Sequence, residues 1–279
     1  MNLKRKLYYL LSPKARILAR KIIYTPYDFW HKILRKPNNL LPPKGLQFIG
    51  SGDFEKTGQH YLNMMINLCN CKPSSSILDI GCGIGRIAIP LTSYLNEEGS
   101  YNGFDIVKEG IDWCTKNINH RFSNFTFLHI PLQNELYNLS TKVKSSLLTF
   151  PYISDHFDLV IATSVFTHMM PEDVENYFKE IHRVLRKEGK FLCTFFVLNQ
   201  DSAAAMSQNP HFNFPYSHDY YALMDDKVKE ANVAYSQIYL ENLFHLNQLS
   251  ITHYLEGYWS SGDNKLGKEF QDTFILTKH

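Results

Sequence analysis

The spacing of hydrophobic residues alternates between a helical and a strand-like period along most of this chain. The segments with helical spacing are 61–68, 84–95, 107–118 and 171–186. The strand-like segments are 76–80, 100–104, 125–130, 157–163 and 191–198. Because short connections join these alternating segments, the sequence predicts an α/β fold in which helices cover both faces of a mostly parallel sheet.

The length and composition fit one folded domain with additions. The chain has 279 residues, of which 44% are hydrophobic and 20% are charged, so it can form a buried core. No stretch reaches the roughly 18 consecutive apolar residues of a membrane-spanning helix. Five cysteines without a C-x-x-C pair argue against a disulfide framework and against a zinc site. This cysteine usage predicts a reduced, cytoplasmic protein.

Residues 1–45 differ in charge from the rest of the chain. They contain eleven Lys or Arg and one acid, Asp28, for a net charge of +10, which leaves −8 on the remainder. Their apolar residues have helical spacing, which predicts a basic helical extension before a domain that spans 46–279. Two interpretations are open: the extension binds an anionic membrane surface or an acidic partner, or it packs on the acidic body. No nucleic-acid partner is expected, because the remainder is acidic and its basic residues are not clustered.

Residues 199–245 interrupt the alternation of strands and helices. The first half of this segment is rich in polar, aromatic and proline residues, which predicts a lid-like insertion that recognises substrate. Residues 233–249 have helical spacing. Two further strand-like segments, 249–258 and 270–277, end the chain.

The most informative stretch is residues 77–86, which read ILDIGCGIGR. A predicted strand ends here at glycines that open a helix, so the backbone can pass close to a ligand. Dinucleotide-binding proteins use G-x-G-x-x-G at this place, whereas this chain has G-x-G-x-G preceded by Asp79. A carboxylate at 79 repels a pyrophosphate and favours a cationic or amine-bearing group. Asp105 ends the next strand, where an acid accepts the hydroxyls of a ribose. The ligand predicted from these residues is a nucleoside with an amino-acid-like tail and no phosphate.

These segments resemble the class I S-adenosylmethionine-dependent methyltransferases. Residues 78–86 are similar to the family's first motif and residues 103–105 to its acidic second motif. Residues 157–169 and 181–190 resemble its fourth-strand motif and the turn into its fifth strand. The leader and the closing Gln-Asp pair at 271–272 further resemble a bacterial subgroup that methylates small molecules or glycans. The resemblance implies a Rossmann-like sheet of seven strands, the last of them antiparallel, and an S-adenosylmethionine pocket.

The resemblance also assigns positions in the cofactor site. These positions are Asp79, Gly81, Cys82, Gly83, Gly85, Arg86, Asp105, Ile106, Leu132, Gln133, Thr163, Ser164 and Phe166. It implies that Asp79 and Gly81 lie beside the methionine moiety, Asp105 holds the ribose and Ile106 flanks the adenine. Many family members have an acid after the third strand that accepts the adenine amine. This chain has Pro131 there, so Gln133 or a backbone carbonyl is the expected replacement.

Methyl transfer to a hydroxyl requires a group that accepts the acceptor's proton. His168 follows the fourth strand, and His211 and His218 lie in the insertion, so these three histidines are the candidate bases. The twelve histidines lack the spacing of a metal site, and no metal is expected.

The sequence therefore predicts an S-adenosylmethionine-dependent methyltransferase that acts on an oxygen or nitrogen of a small molecule or glycan. Two alternatives are kept open. One is a nicotinamide-dependent oxidoreductase, against which the glycine spacing and Asp79 argue. The other is an inactive methyltransferase fold that binds partners through the basic extension. The expected location is the cytoplasm, with contact to a membrane surface as the alternative that the extension raises.

Overall fold

The computed structural model describes residues 11–34, 40–48, 52–208, 212–263 and 269–279, and it is an α/β protein built on a seven-stranded sheet. The strand order is β10-β11-β5-β4-β1-β2-β3. The strands of this sheet are β1 (Ser76–Ile80), β2 (Ser100–Asp105), β3 (Phe125–His129), β4 (Phe157–Ala162), β5 (Leu185–Phe195), β10 (Leu249–Leu255) and β11 (Asp272–Lys278). Strands β1 to β5 pair in parallel, and β11 is antiparallel to both of its neighbours. The predicted seven-stranded fold is confirmed.

Helices cover both faces of the sheet. In chain order they are α1 (Pro13–Leu34), α2 (Phe54–Cys69), α3 (Ala88–Leu91), α4 (Lys108–Cys114), α5 (Pro171–Val184), α6 (Gln200–Gln208) and α7 (Gln237–Leu246). Short 3-10 or π-helical turns follow at Lys44–Leu46, Thr115–Asn119, Ser145–Leu147, Phe166–His168 and Lys229–Ala231. None of the helices in the described ranges combines the length and the hydropathy needed to cross a membrane.

Adjacent residues of β1 show why the central strands are apolar throughout. Leu78 belongs to a hydrophobic cluster with Phe178 of α5 and Phe244 of α7. Its neighbour Ile77 belongs to a second cluster, on the other face, with Met65 of α2. Because side chains alternate between the two faces of a strand, a sheet covered on both faces needs apolar residues at every position.

The parallel register places the carboxyl ends of three strands at one edge. Asp79 of β1 is paired with Gly103 of β2 on one side and with Ile161 of β4 on the other. In open parallel sheets, ligands bind outside these carboxyl ends, so this edge is where a site is expected.

The segment after β5 forms a small second sheet, ordered β6-β9-β8-β7. Its strands are β6 (Val197–Leu198), β7 (Tyr216–Ser217), β8 (Tyr221–Leu223) and β9 (Val233–Ser236). The prediction of a helix over 233–249 is wrong in its first four residues, because Val233, Ala234 and Tyr235 pair with β8 and are buried there. Ser236 then caps α7 by accepting a hydrogen bond from the Tyr239 amide.

The helix predicted over 84–95 is much shorter than the periodicity indicated. Regular α-helix is limited to Ala88–Leu91, with turns on either side. Pro90 has no amide hydrogen to donate to the carbonyl of Arg86, and that carbonyl is covered instead by Gly58 of α2. A methyl group at Gly58 would lie 2.3 Å from this oxygen, so the close contact between α2 and the glycine loop requires glycine.

Candidate active site

A cavity of about 830 Å³ lies at the carboxyl ends of β1, β2 and β4. Residues from neighbouring strands form its wall: Asp79 lies near the end of β1 and Gly81 follows it, Asp105 ends β2 and Ile106 follows it, and Ser164 follows β4. A volume of this size lies within the range of roughly 300–1,000 Å³ that is typical of small-molecule sites. The strand order and the cavity therefore place one site at the edge that the sheet topology indicates.

The glycine loop after β1 adopts a backbone conformation that other residues avoid. Gly81, Gly83 and Gly85 have φ angles of +71°, +57° and +78°. A methyl group on Gly81 would lie 2.5 Å from Cγ2 of Val165, which follows β4. A methyl group on Gly85 would lie 2.9 Å from Ile118 on the opposite side of the loop. The loop therefore needs glycine both for its turn and for its packing.

Asp105 braces this loop. Its Oδ2 accepts a hydrogen bond from the Gly83 amide at 2.8 Å, and its Oδ1 accepts one from the Val107 amide at 2.7 Å. The side chain is buried, and this burial raises its pKa although backbone amides stabilise the charge. A carboxylate offers about four lone-pair sites, so each oxygen can accept a further hydroxyl from a ligand in the cavity.

Asp79 lies on the same wall in a deeper position. The Tyr101 hydroxyl donates to its Oδ2 at 2.6 Å. Burial raises the pKa of Asp79 to about 7, and the nearby Asp105 carboxyl adds to the rise. The Tyr101 hydrogen bond and the Arg86 guanidinium act in the opposite direction but do not cancel the effect of burial. This buried acid therefore lacks enough positive charge around it, which a cationic ligand would supply.

Cys82 and Arg86 also reach the cavity from the glycine loop. Burial raises the pKa of the Cys82 thiol well above its ordinary value, so the sulfur is a neutral packing group. It fits against β2 because a methyl group on Gly103 would lie only 2.8 Å from Sγ. The Arg86 pKa is lowered by burial, while Tyr61 and Asp79 oppose this effect.

The turn after β4 is held by a network of hydroxyl and amide groups. Ser164 has a φ angle of +57°, which is unusual for a residue with a side chain. Its amide donates to Oγ1 of Thr194 at 2.8 Å, and its hydroxyl donates to Oε1 of Gln271 at 2.9 Å. Thr194 donates to the same Gln271 oxygen at 2.7 Å. These contacts fix Thr163, Ser164 and Val165 in the cavity wall.

His168 lies in the cavity wall next to this turn. Its Nδ1 is 3.1 Å from the carbonyl oxygen of Glu230, and its ring meets Tyr137 edge to face. A carbonyl only accepts, so Nδ1 carries the proton and Nε2 is left as an acceptor. Desolvation lowers the pKa of His168, which keeps the ring neutral at lower pH than usual. The ring is therefore in the form that can take up a proton.

Several predicted site residues lie outside the cavity wall. Gly83 and Gly85 belong to the glycine loop but do not line the cavity. Phe166 is buried in the core, where its ring stacks on Phe195 with a centroid distance of 5.0 Å. Leu132 is also buried in the core, and Gln133 is exposed.

The two histidines of the insertion are also not part of the described cavity wall. His218 is exposed and stacks on Tyr221 at 4.4 Å, away from the wall, and His211 lies outside the described residues. No described residue of 199–245 lines the cavity, although Glu230 contacts His168 from this segment.

The far wall of the cavity was not identified from the sequence. Helix α2 contributes His60 and Tyr61, and the segment before β11 contributes Glu269 and Gln271. Within this wall, Nε2 of His60 contacts Oε1 of Glu269. In the sequence, the Gln-Asp pair at 271–272 carries only a family resemblance and residues 61–68 only a helical spacing. No local pattern therefore indicates that these two segments meet.

Metal binding has no visible basis in the part of the chain that the structure describes. No cluster of three or more His, Cys, Asp or Glu side chains is placed there to hold a metal ion.

Comparison with known proteins identifies the family of this chain. Residues 72–237 match a family model described as a methyltransferase domain. The uncharacterized methyltransferase YcgJ of Bacillus subtilis is 26% identical over 137 residues, which are 47% of this chain and 44% of that protein. Cyclopropane-fatty-acyl-phospholipid synthase of Escherichia coli is 27% identical over 140 residues, which are 50% of this chain and 31% of that protein. The chain thus spans less than half the length of these two curated relatives.

A solved structure shows a similar fold. The crystal structure of the PH0226 protein from Pyrococcus horikoshii has a TM-score of 0.58 and 16% sequence identity. The alignment covers 84% of this chain and 95% of that one.

Proposed function

The chain belongs to the methyltransferase-domain family, whose methyl donor is S-adenosylmethionine, and from this membership we propose that it methylates an oxygen or nitrogen atom of a small-molecule or glycan acceptor. The family match decides against nicotinamide dinucleotide as the cofactor.

The observation that carries the proposal is a pair of buried carboxylates in one wall. Asp79 and Asp105 both face the cavity at the ends of neighbouring strands, beside a loop of left-handed glycines. When bound, S-adenosylmethionine supplies a methyl group activated by a positively charged sulfur. We assign Asp79 to the positively charged methionine end, because this carboxyl is buried in the cavity wall, burial raises its pKa, and a cation beside it would favour its ionised form. We assign Asp105 to the ribose hydroxyls, because both of its oxygens have acceptor capacity left.

The acceptor side of the proposal rests on His168. A methyl transfer is an in-line displacement, so holding the acceptor in place accelerates the reaction. An acceptor hydroxyl must also lose its proton, and Nε2 of a neutral His168 is able to take it. The Glu230 carbonyl fixes the ring orientation and the tautomer that this role requires.

A cytoplasmic location is part of the same proposal. All five cysteines are buried free thiols, as is usual in a reducing compartment.

The test is an activity screen with isotopically labelled S-adenosylmethionine and a panel of small hydroxyl, amine and sugar acceptors. We expect label transfer to at least one acceptor, and calorimetric binding of S-adenosylhomocysteine. His168→Gln should lower kcat by roughly 10²–10⁴-fold on a hydroxyl acceptor while cofactor affinity is retained. His218→Gln is the matched control, because His218 is exposed and lies away from the cavity.

Two outcomes would count against the proposal. Absence of S-adenosylhomocysteine binding by the folded protein would remove the cofactor assignments. Full activity of His168→Gln on a hydroxyl acceptor would remove the base assignment and leave positioning as the source of the acceleration.

A further inference from the structure

Helix α1 is attached to the protein through its polar side. Arg16 is buried and donates from Nη1 to the carbonyl oxygen of Leu136 at 3.0 Å. Arg20 donates from Nε to the carbonyl of Lys44 at 3.2 Å. Asp28 accepts the amide hydrogens of Lys44 and Gly45 at 2.6 and 2.9 Å. Arg16 thus faces the body, and Arg20 and Asp28 face the segment 40–48 that follows the helix. Most helices place their apolar residues on the side that is covered in this way.

The opposite side of α1 is apolar and exposed. Leu18, Ile22, Phe29 and Ile33 are spaced so that they share one stripe of the helix. Their exposed fractions lie between 59% and 65%. Ile23, Trp30 and Leu34 extend the apolar surface around the helix towards the side of Arg16, and they are exposed by 71%, 62% and 79%. We call these seven residues the apolar face of α1. A contiguous surface of this kind marks an interaction site, because water contact with large apolar side chains is unfavourable.

Positive charge borders the apolar face. Lys14, Lys21 and Lys32 lie along one edge of the stripe at helical spacing. Residues 1–45 have a net charge of +10. Their single acid, Asp28, already accepts hydrogen bonds from backbone amides. The surface therefore combines apolar side chains with a cationic border, which is the composition of helices that lie in a membrane interface.

We propose that α1 lies in the surface of an anionic phospholipid bilayer, with its apolar face in the acyl boundary and its lysines at the phosphate headgroups. Trp30 and Tyr27, which is 44% exposed, suit the headgroup level because their rings are apolar with a polar edge. A second copy of this chain is a less favourable partner for the apolar face of α1. A two-fold contact through α1 would bring two segments of +10 together, and like charges oppose that contact.

Membrane docking through α1 would also orient the cavity. Leu136, whose carbonyl accepts from Arg16, lies between the cavity-wall residues Asn134 and Tyr137. This hydrogen bond ties α1 to the segment that carries Asn134 and Tyr137, so the helix holds a fixed position relative to the cavity wall. The bilayer would therefore lie at a fixed side of the site.

The test is co-sedimentation of the full chain with vesicles of phosphatidylcholine alone or mixed equally with phosphatidylglycerol. We expect binding to the mixed vesicles, weaker binding to the neutral vesicles, and loss of binding as salt is added. The triple substitution Ile22→Gln, Phe29→Gln and Ile33→Gln should lower the partition coefficient at least about tenfold. The matched control is Leu246→Gln, because Leu246 is 78% exposed on α7 and lies outside the apolar face.

Tryptophan emission gives a second readout. Trp30 is exposed, whereas Trp259 is buried and Trp113 is half-buried, so Trp30 reports most directly on the apolar face. Mixed vesicles should shift the emission to shorter wavelength. Trp30→Phe should remove most of this shift while the protein still co-sediments.

Several results would overturn the proposal. One is a protein that binds S-adenosylhomocysteine, and is therefore folded, but does not co-sediment with mixed vesicles. Another is an equal loss of binding in the triple variant and in Leu246→Gln. Light scattering that shows a dimer dispersed by the triple substitution, without vesicle binding, would assign the apolar face to a second copy. Binding to polyglutamate but not to vesicles would assign it to an acidic macromolecule.

Discussion

The hydroxyl of Tyr101 donates a 2.6 Å hydrogen bond to Oδ2 of Asp79, and both side chains are buried between neighbouring parallel strands. This contact is the main polar support of an acid whose pKa is about 7. The folded protein therefore keeps Asp79 protonated at a pH where the unfolded chain has already lost that proton. This difference links the chemistry of the site to the stability of the fold.

Asp79→Asn should stabilise the protein increasingly as the pH rises towards 7. Between about pH 4 and pH 7 the unfolded chain binds fewer protons at this group, so its contribution to stability falls with rising pH. Asparagine does not titrate, so the variant does not lose stability in this way as the pH rises. The difference in free energy of unfolding between Asp79→Asn and the unsubstituted protein should therefore grow by roughly 2–3 kcal/mol from about pH 5 to about pH 8. Urea unfolding at both pH values measures the difference. An advantage that does not change with pH would contradict the raised pKa.

Tyr101→Phe should move the pKa of Asp79 further upward. The substitution removes a hydrogen bond that favours the ionised acid, while the stacking of the ring on Phe125 is kept. A hydrogen bond to a charged group contributes about 1.5–3 kcal/mol, so the pH midpoint of S-adenosylmethionine binding should rise by about one to two units. Calorimetric titrations across pH measure the midpoint. An unchanged midpoint, with normal folding, would show that Asp79 does not govern binding.

Asp105→Asn should weaken cofactor binding strongly. Both carboxylate oxygens accept backbone amides, and an asparagine would present an N–H group to one of these donors. The carboxamide is then turned or neutral at the ribose, and loss of one hydrogen bond between this charged group and a ribose hydroxyl costs about 1.5–3 kcal/mol, or roughly 10- to 150-fold in S-adenosylhomocysteine affinity. Asp112→Asn is the control, since Asp112 is an exposed acid paired with Lys108 on α4. Equal affinities of the two variants would remove the role assigned to Asp105.

Gly81→Ala should disturb the site for two separable reasons. The added methyl group would lie 2.5 Å from Cγ2 of Val165, and the φ angle of +71° is strained for alanine. The second effect alone costs about 1–2 kcal/mol. Val165→Ala in the same chain should restore part of the lost stability and affinity, because it removes the clash but not the strain. Thermal unfolding of the two single variants and the double variant measures the coupling, and strictly additive effects would contradict it.

The sequence predicted the half of the site that is built from consecutive residues. The strand at 76–80, the glycine loop and Asp105 follow one another along β1, the loop and β2, so local spacing was sufficient. The wall formed by His60 and Glu269 could not be predicted in this way. These residues come from distant parts of the chain, and only the position of β11 beside β5 brings the second of them to the cavity.

Tertiary pairing explains the error in secondary structure, and tertiary contacts decide how the leader is attached. The helical spacing over 233–249 includes Val233, Ala234 and Tyr235, which are extended because β8 offers a strand to pair with. The amphipathic pattern of α1 was visible in the sequence, but the pattern does not reveal which side meets the body. Hydrogen bonds from Arg16 and Arg20 to backbone carbonyls decide that orientation, and their acceptors are distant in the chain or in a loop.

Gln271 and Asp272 are adjacent residues that we expect to differ sharply in role. Asp272 is 2% exposed and accepts hydrogen bonds from Trp259, Val197, Gly257 and Tyr254, at distances from 2.6 to 3.2 Å. Asp272→Asn would place N–H groups against these donors, so the free energy of unfolding should fall by roughly 2–4 kcal/mol.

Gln271→Ala should leave the fold nearly intact and change the site. Gln271 is half-buried, and its Oε1 accepts from Ser164 and Thr194, so water can replace it at a cost within about 1 kcal/mol. The same bonds hold Ser164 in its left-handed conformation in the cavity wall. Ligand affinity should therefore fall several-fold while the free energy of unfolding changes little. Urea unfolding and S-adenosylhomocysteine titration of both variants separate the two effects. A large loss of stability in Gln271→Ala would contradict this division of roles, because the network around Ser164 would then support the fold as well as the site. A stable Asp272→Asn would contradict it too, because the contacts of Asp272 would then contribute little to the fold.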